Sequence, residues 1–349
     1  MKPPGAISIF VRWLMTRFAP PIRPKGERRW RDLRQVSGGR NGEGFGKKLS
    51  SIVEPEGAAD TNRNQIMALR LGVDLGGTKI EIAVFESDGR EMLRRRAPTP
   101  RAGYDAALEE FSRLILEAER AAGAPCNVGV GMPGTIHPRS GRVINAYNTP
   151  FNGRRLKHDL EERLGREVRF ANDANCFALS EALDGAGAGR GVVFGAILGT
   201  GVGGGIVVGG TVLNGHHGIG GEWGHTPLPW MSREEYPGPT CNCGRRGCIE
   251  QWCSGPALAR ETDARGEDEA LAIYADRLAR AFSLVINFLD PEIIVVGGGV
   301  SREPRLYASV PQLLPRYVYS PVVETPIVPA KFGDASGVRG AAMLWPLIA

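Results

Sequence analysis

No stretch of the 349-residue chain is apolar for long enough to cross a bilayer, which takes about 20 residues as a helix. The stretch Ala6 to Met15 is apolar but broken by Arg12, so a cytoplasmic protein is expected rather than one with a targeting segment. The Gly-x-x-x-x-Gly-Lys-Ser/Thr pattern of a P-loop is absent. No repeat of fixed short period runs along the chain. Cysteine is too sparse and too clustered for a disulfide framework. Of the six, Cys241, Cys243 and Cys248 crowd together around glycines, while Cys126, Cys176 and Cys253 stand alone.

The net charge of +5 is unevenly spread. Residues 1–66 hold 13 Lys/Arg against 6 Asp/Glu, and the remainder holds 30 against 32. The basic character therefore belongs to the N-terminal extension, and the body offers no reason to expect a nucleic-acid partner. The extension is rich in Arg, Gly and Pro without periodicity, so disorder is expected. Met67 directly precedes the first clean strand pattern, and a misassigned start is favoured over a functional tail. An apolar content of 42% with 23% charged residues fits a globular protein with room for two domains.

From Met67 onward, strand and helix patterns alternate, which indicates α/β architecture. Strands are expected at Leu69–Asp74, Lys79–Glu86, Cys126–Met132, Val168–Ala171, Val192–Leu198, Gly205–Val208 and Ile293–Val296. Helices are expected at Tyr104–Ala121, Arg154–Leu164, Asp173–Leu183 and Glu269–Leu289, the last stopped by Asp290-Pro291. The strand–Gly-Gly-Thr–strand unit at 69–86 is echoed by strand–Gly-Thr-Gly–strand at 192–208. Two similar units facing one ligand would explain both.

Four motifs carry chemistry. In Asp74-Leu75-Gly76-Gly77-Thr78-Lys79 the glycines permit close approach to an anion, Thr78 offers a hydroxyl, Lys79 a charge, and Asp74 a carboxylate for magnesium. Leu198-Gly199-Thr200-Gly201-Val202-Gly203-Gly204-Gly205 offers a second phosphate position. A strand follows it rather than a helix, which argues against a dinucleotide fingerprint. A plain glycine hairpin also accounts for either pattern taken alone. Asn172-Asp173-Ala174-Asn175 lies between a strand and a helix, where Asp173 or Asn172 can serve as the N-cap and Asp173 can also serve as a general base. Cys241-x-Cys243-x4-Cys248 with His225 makes a closed tetrahedral zinc set, hence a structural metal. Such a zinc would draw Glu222, His225 and Glu250 into one patch suited to sugar hydroxyls.

Together and in this order, the four motifs resemble the ROK family of bacterial sugar kinases and repressors, from Met67 to the C-terminus. The resemblance implies a two-lobed actin-like ATPase (ribonuclease H-like) fold with a cleft between the lobes. It places residues 67–166 and 335–349 in an N-terminal lobe and 167–334 in a C-terminal lobe with the zinc loop. It implies an ATP- and Mg2+-dependent hexose kinase whose partners are a small-molecule hexose and a second copy in a homodimer, with no nucleic acid and no membrane. By the same resemblance Asp173 deprotonates the sugar 6-hydroxyl, and Asn172, Glu222, His225 and Glu250 contact the sugar, His225 giving its other ring nitrogen to zinc. Gly76, Gly77, Thr78 and Lys79 flank the ATP phosphates with Gly199, Thr200, Gly201 and Gly203, and Gly297, Gly298 and Gly299 lie near the adenosine. Pro98-Thr99-Pro100-Arg101, the run from His225 to Met231 and the run from Gly333 to Gly340 look most like bacterial fructokinase. The runs Asn172–Ala182 and Leu198–Gly205 are shared with N-acetylglucosamine kinases, so that enzyme and glucokinase stay open, and Leu228-Pro229-Trp230 tips the expectation to fructose. A ROK-type transcriptional regulator is disfavoured because Pro20, Pro21, Pro24 and Pro55, with Gly38 to Gly46, break any helix-turn-helix in residues 1–66. An actin-like scaffold without a sugar is disfavoured by the zinc loop.

Overall fold

The structure, a computed structural model, describes residues 69–100, 103–146 and 149–346. The basic extension at 1–66 and the start at Met67 lie outside the described residues.

The described residues fold into two copies of one five-stranded unit. In the first, β1 (Arg70–Leu75), β2 (Lys79–Phe85) and β3 (Glu91–Pro98) form an antiparallel meander. Helix α1 (Tyr104–Ala122) then carries the chain to β4 (Asn127–Met132), which pairs parallel to β1. A two-stranded hairpin follows, β5 (Thr135–Ile136) with β6 (Val143–Ile144). Helix α2 (Leu156–Leu164) leads into β7 (Val168–Asn172), parallel to β4. The spatial order is β3-β2-β1-β4-β7. Because β7 is hydrogen-bonded into this sheet, the first lobe extends to Asn172, past the boundary expected at residue 166.

Helix α3 (Asp173–Leu183) opens the second unit. Strands β8 (Val192–Leu198), β9 (Val202–Val208) and β10 (Thr211–Val212) repeat the antiparallel meander. An insertion carries the cysteine loop and α4 (Glu250–Cys253), then α5 (Gly255–Arg265) and the long α6 (Glu267–Leu289). Strand β11 (Ile293–Gly297) returns parallel to β8, and α7 (Arg305–Leu313) leads to β12 (Ile327–Pro329), parallel to β11. The order β10-β9-β8-β11-β12 repeats that of the first sheet strand for strand. The echo between residues 69–86 and 192–208 is therefore a duplicated hairpin, and the two-lobed actin-like fold is the one observed.

Local sequence explains the framing elements. Helix α1 turns Ala107, Leu108, Phe111, Leu114, Ile115 and Ala118 to the core, and Gly123 ends it in a left-handed conformation. Helix α6 buries Leu271, Tyr274, Leu278 and Phe282, and Asp290 before Pro291 ends it. Helix α3 is buried nearly all round, from Ala174 through Ala182, with Asn175, Ser180 and Glu181 among its buried residues. It is enclosed because it packs on β8 and β9 while α8 (Ser336–Ala342) packs on β1 and β4, and the two helices pack on each other. The layers thus run sheet, helix, helix, sheet. Among the described residues no helix is long and apolar enough to cross a membrane.

Candidate active site

In parallel sheets, ligands collect beyond the carboxyl ends of the strands. Three such ends in the first lobe bring Asp74 of β1, the Met132-Pro133-Gly134 turn after β4, and Asn172-Asp173 at the end of β7 to one edge. In the second lobe, the ends of β8 and β11 bring up Leu198-Gly199 and Gly297-Gly298.

Asn172, not Asp173, is the N-cap of α3. Its Oδ1 accepts the Ala174 N–H at 2.9 Å, and its Nδ2 donates to the Gly134 carbonyl at 3.1 Å. Asp173 occupies the first turn, where its Oδ1 also accepts the Ala174 N–H at 2.8 Å. Burial raises the Asp173 carboxyl to about 6, reinforced by the negative charges of Asp74 and Glu222. Burial likewise raises Asp74, with Lys79 opposing the rise, and raises Glu222, with His225 opposing it. Three carboxylates with elevated proton affinity in one place mark a site built to receive positive charge or to move a proton.

The two glycine turns differ in their support. In the first, Gly76 donates its N–H to the Lys79 carbonyl at 2.9 Å, and Thr78 and Lys79 face solvent. Lys79 Nζ lies 3.3 Å from Glu81 Oε2, a buried carboxylate that also holds Arg94 and Arg96. In the second, Gly199 donates to the Gly201 carbonyl at 3.0 Å and accepts the Gly255 N–H at 2.7 Å, while Thr200 is exposed. Strand β9 begins at Val202, inside the expected turn, so Gly203 belongs to a strand: its carbonyl accepts the Trp223 indole N–H at 2.8 Å. The run of glycines has a steric cause here. A Cβ on Gly204 would stand 2.6 Å from the Trp223 ring and 2.8 Å from Phe194, and one on Gly201 would stand 2.6 Å from Glu250 Oε2. Trp223 in turn stacks on Phe282 at 5.4 Å between centroids and meets Phe194 edge-on. The Glu222-Trp223-Gly224-His225 turn is thereby seated directly on β9. Gly297 packs on the Phe177 ring, and Gly298 backs against Leu198 and Gly199.

The sulfur-rich cluster converges as its spacing suggests. One ligand atom from each of His225, Cys241, Cys243 and Cys248 lies within 4.8 Å of the others. His225 Nδ1 is 3.5 Å from Cys241 Sγ, and Cys243 Sγ is 3.6 Å from Cys248 Sγ. A tetrahedron of thiolates about 2.3 Å from zinc has edges of about 3.8 Å, so the donor set fits that ion. Using Nδ1 here leaves Nε2 of His225 for another partner. Glu250 joins the cluster to the second glycine turn: its Oε2 accepts the Val202 N–H at 3.1 Å and its Oε1 lies 3.7 Å from Cys241 Sγ.

Sequence reasoning missed the β5–β6 hairpin. Its Gly134 carbonyl holds Asn172, and Gly134 packs against Ile144 and Asn145, the latter in a left-handed conformation. The signal was present in Pro133-Gly134 followed by two short β-branched pairs.

A duplicated hairpin unit, a glycine turn in each copy and a carboxylate where one copy passes into the next define a two-lobed protein of the actin-like ATPase fold. A profile of the ROK family matches residues 70–347, and the chain belongs to that family. It is 40% identical over 297 residues to an N-acetyl-D-glucosamine kinase of Escherichia coli O127:H6, covering 78% of this chain and 98% of the relative. The crystal structure of ROK hexokinase from Thermus thermophilus superposes with a TM-score of 0.70 at 32% identity, over 79% of this chain and 97% of that one. A ROK family glucokinase from Streptomyces griseus, solved with glucose and AMPPNP, gives a TM-score of 0.66 at 28% identity, over 79% and 98%.

Proposed function

We propose that this protein is an ATP-dependent hexose kinase that phosphorylates the 6-hydroxyl of N-acetyl-D-glucosamine. The observation that carries the kinase reading is Asp173: a carboxylate at the end of β7, raised to about 6, beside Asp74 and the Glu222 turn. A base of that proton affinity is largely ionised at neutral pH yet accepts a proton readily. Asp173 takes the hydroxyl proton as the oxygen attacks the γ-phosphorus and the bond to the β–γ bridging oxygen breaks to release ADP, and Asn172, Glu222, the free Nε2 of His225 and Glu250 orient the other hydroxyls. Gly76–Lys79 and Gly199–Gly201 face the phosphates of ATP. Asp74 would hold magnesium through water, and that ion would supply neutralisation of phosphate charge. His225, Cys241, Cys243 and Cys248 would hold a structural zinc that keeps the sugar-side loops together.

The choice of sugar rests on the 40% identical relative. Fructose, expected from Leu228-Pro229-Trp230, gains no support from the relatives described above. In that segment Leu228 is buried in the second core, and Trp230 is exposed with its carbonyl accepting Arg280 Nη1 of the long helix at 3.0 Å. An ADP-release assay with N-acetylglucosamine, N-acetylmannosamine, glucose, mannose and fructose decides between them. The highest kcat/KM is expected with N-acetylglucosamine. A preference for fructose would overturn the substrate, and turnover of none of the five would overturn the kinase reading.

A further inference from the structure

We propose that Glu181 is a positioning residue for phosphoryl transfer, a buried carboxylate that clamps the second crossing between the lobes and so fixes Asp74 relative to Asp173. The proposal rests on the kinase reading and adds a residue which that reading leaves idle.

Among the described residues the chain passes between the lobes twice, at Asn172-Asp173 and at the segment joining β12 to α8. Glu181 lies on α3, about two turns beyond Asp173. It is fully buried. Its Oε2 accepts the backbone N–H of Ala186 at 2.9 Å and of Lys331 at 3.0 Å. Its Oε1 accepts the N–H of Phe332 at 3.1 Å and the hydroxyl of Ser336 at 2.7 Å. Four donors fill the lone-pair sites of one carboxylate.

The partners of that carboxylate are all neutral. The cations nearby are engaged elsewhere: Lys331 Nζ donates to the Asp184 carbonyl at 2.8 Å, and Arg339 pairs with the Asp184 carboxylate. Burying an ion is costly unless it is fully hydrogen-bonded, so the clamp holds only while all its donors stay in place. A glutamine would present an N–H to a ring of donors and could not close it.

The clamp reaches the reaction centre at both ends. Helix α3 begins at Asp173. Ser336 opens α8, and the next residue, Gly337, abuts Asp74: a Cβ there would stand 3.6 Å from Asp74 Oδ2. One side chain thus links the helix that carries the base to the helix that backs the phosphate-side carboxylate. Apolar contact between α3 and α8 would hold the helices together without setting the register of 331–336.

The test uses the full chain with Glu181→Gln and Ser336→Ala, each assayed for kcat and for KM of ATP and of the preferred hexose. Misplacing reacting groups by about 1 Å costs about a hundredfold, so Glu181→Gln is expected to lose about that much kcat. Ser336→Ala, which keeps the charge and removes one donor, is expected to lose about tenfold. Both should keep each KM within about threefold, since the groups that touch the substrates are intact. Backbone amide exchange at Lys331 and Phe332 should quicken in Glu181→Gln. If Glu181→Gln does not fold, Ser336→Ala decides by the same split. Unchanged kcat in a folded variant, or a loss confined to KM, overturns the role of Glu181. A wild-type chain that phosphorylates no hexose overturns the kinase reading instead.

Discussion

Glu250 accepts the backbone N–H of Val202 at 3.1 Å, and so holds the second glycine turn from the side of the cysteine cluster. A hydrogen bond to a charged group contributes about 1.5–3 kcal/mol. Replacing Glu250 with alanine removes it and unseats the turn from Gly199 to Gly201. The expected outcome is a rise in KM for ATP of about tenfold together with a rise in KM for the sugar, by steady-state kinetics, with the metal content unchanged. A change in the sugar KM alone would instead make Glu250 purely a sugar ligand.

The Cys241, Cys243, Cys248 and His225 set separates folding from chemistry. Among the thiols, Cys243 is held lowest, at about 7, and hydrogen bonds from the Arg245 backbone and the neighbouring cysteines outweigh its burial. A thiol near neutrality readily releases its proton to solvent, and the thiolate is the form that binds a metal. One zinc per chain is expected by elemental analysis of the wild type. Cys243→Ala should lose that zinc and lower Tm by several degrees, because Thr226–Leu228 and Gly247–Ile249 pair across the loop that the metal closes. Retained zinc at full stability would remove Cys243 from the ligand set.

Asp173 gives a pH dependence whose sign can be worked out. Its carboxyl is raised from 3.8 to about 6 in the folded state. As the base it must be ionised, so kcat should fall as pH drops through about 6. For stability the same shift acts in the opposite sense. The folded state holds this proton more tightly than the unfolded chain, so stability falls as pH rises from about 4 to about 6, and the cost persists at neutral pH. Asp173→Asn removes that cost. It should lower kcat by about 10²–10⁴ while raising Tm at pH 7, measured by calorimetry beside the assay.

The sequence made the β1–β2 and β8–β9 hairpins legible because their turns are glycine-rich and their strands β-branched. It made the convergence of His225 with Cys241, Cys243 and Cys248 legible because thiol spacing is a local property. Strand β3 was not legible: Glu91 to Arg96 is charged apart from Met92 and Leu93 and has no buried residue, and what holds it is cross-strand pairing of Arg94 and Arg96 with Glu81. Helix α8 was hidden because Ser336, Gly337 and Gly340 read as a loop, yet Gly340 lets it lie against Cys176 of α3, and Gly72 and Gly129 let it lie close to β1 and β4. Strand β7 was assigned to the wrong lobe because nothing local distinguishes a strand that closes one sheet from one that opens the next. Glu181 carried no signal at all, since its partners at Lys331, Phe332 and Ser336 are 150, 151 and 155 residues away.

Gly204 tests whether the glycine run serves packing as well as phosphate approach. It lies in β9 under the Trp223 ring, which is itself clasped between Phe194 and Phe282. A methyl group there has 2.6 Å to the indole, well inside contact distance, so the ring must move. Overpacking of a core costs about 1–3 kcal/mol. Gly204→Ala is expected to lower Tm, shift the tryptophan emission, and weaken sugar binding, because Glu222 and His225 flank Trp223 and move with it. ATP binding should change less, since the turn from Gly199 to Gly201 is anchored separately by Gly255 and Glu250. Equal losses for both substrates would show that the strand and the turn yield as one piece.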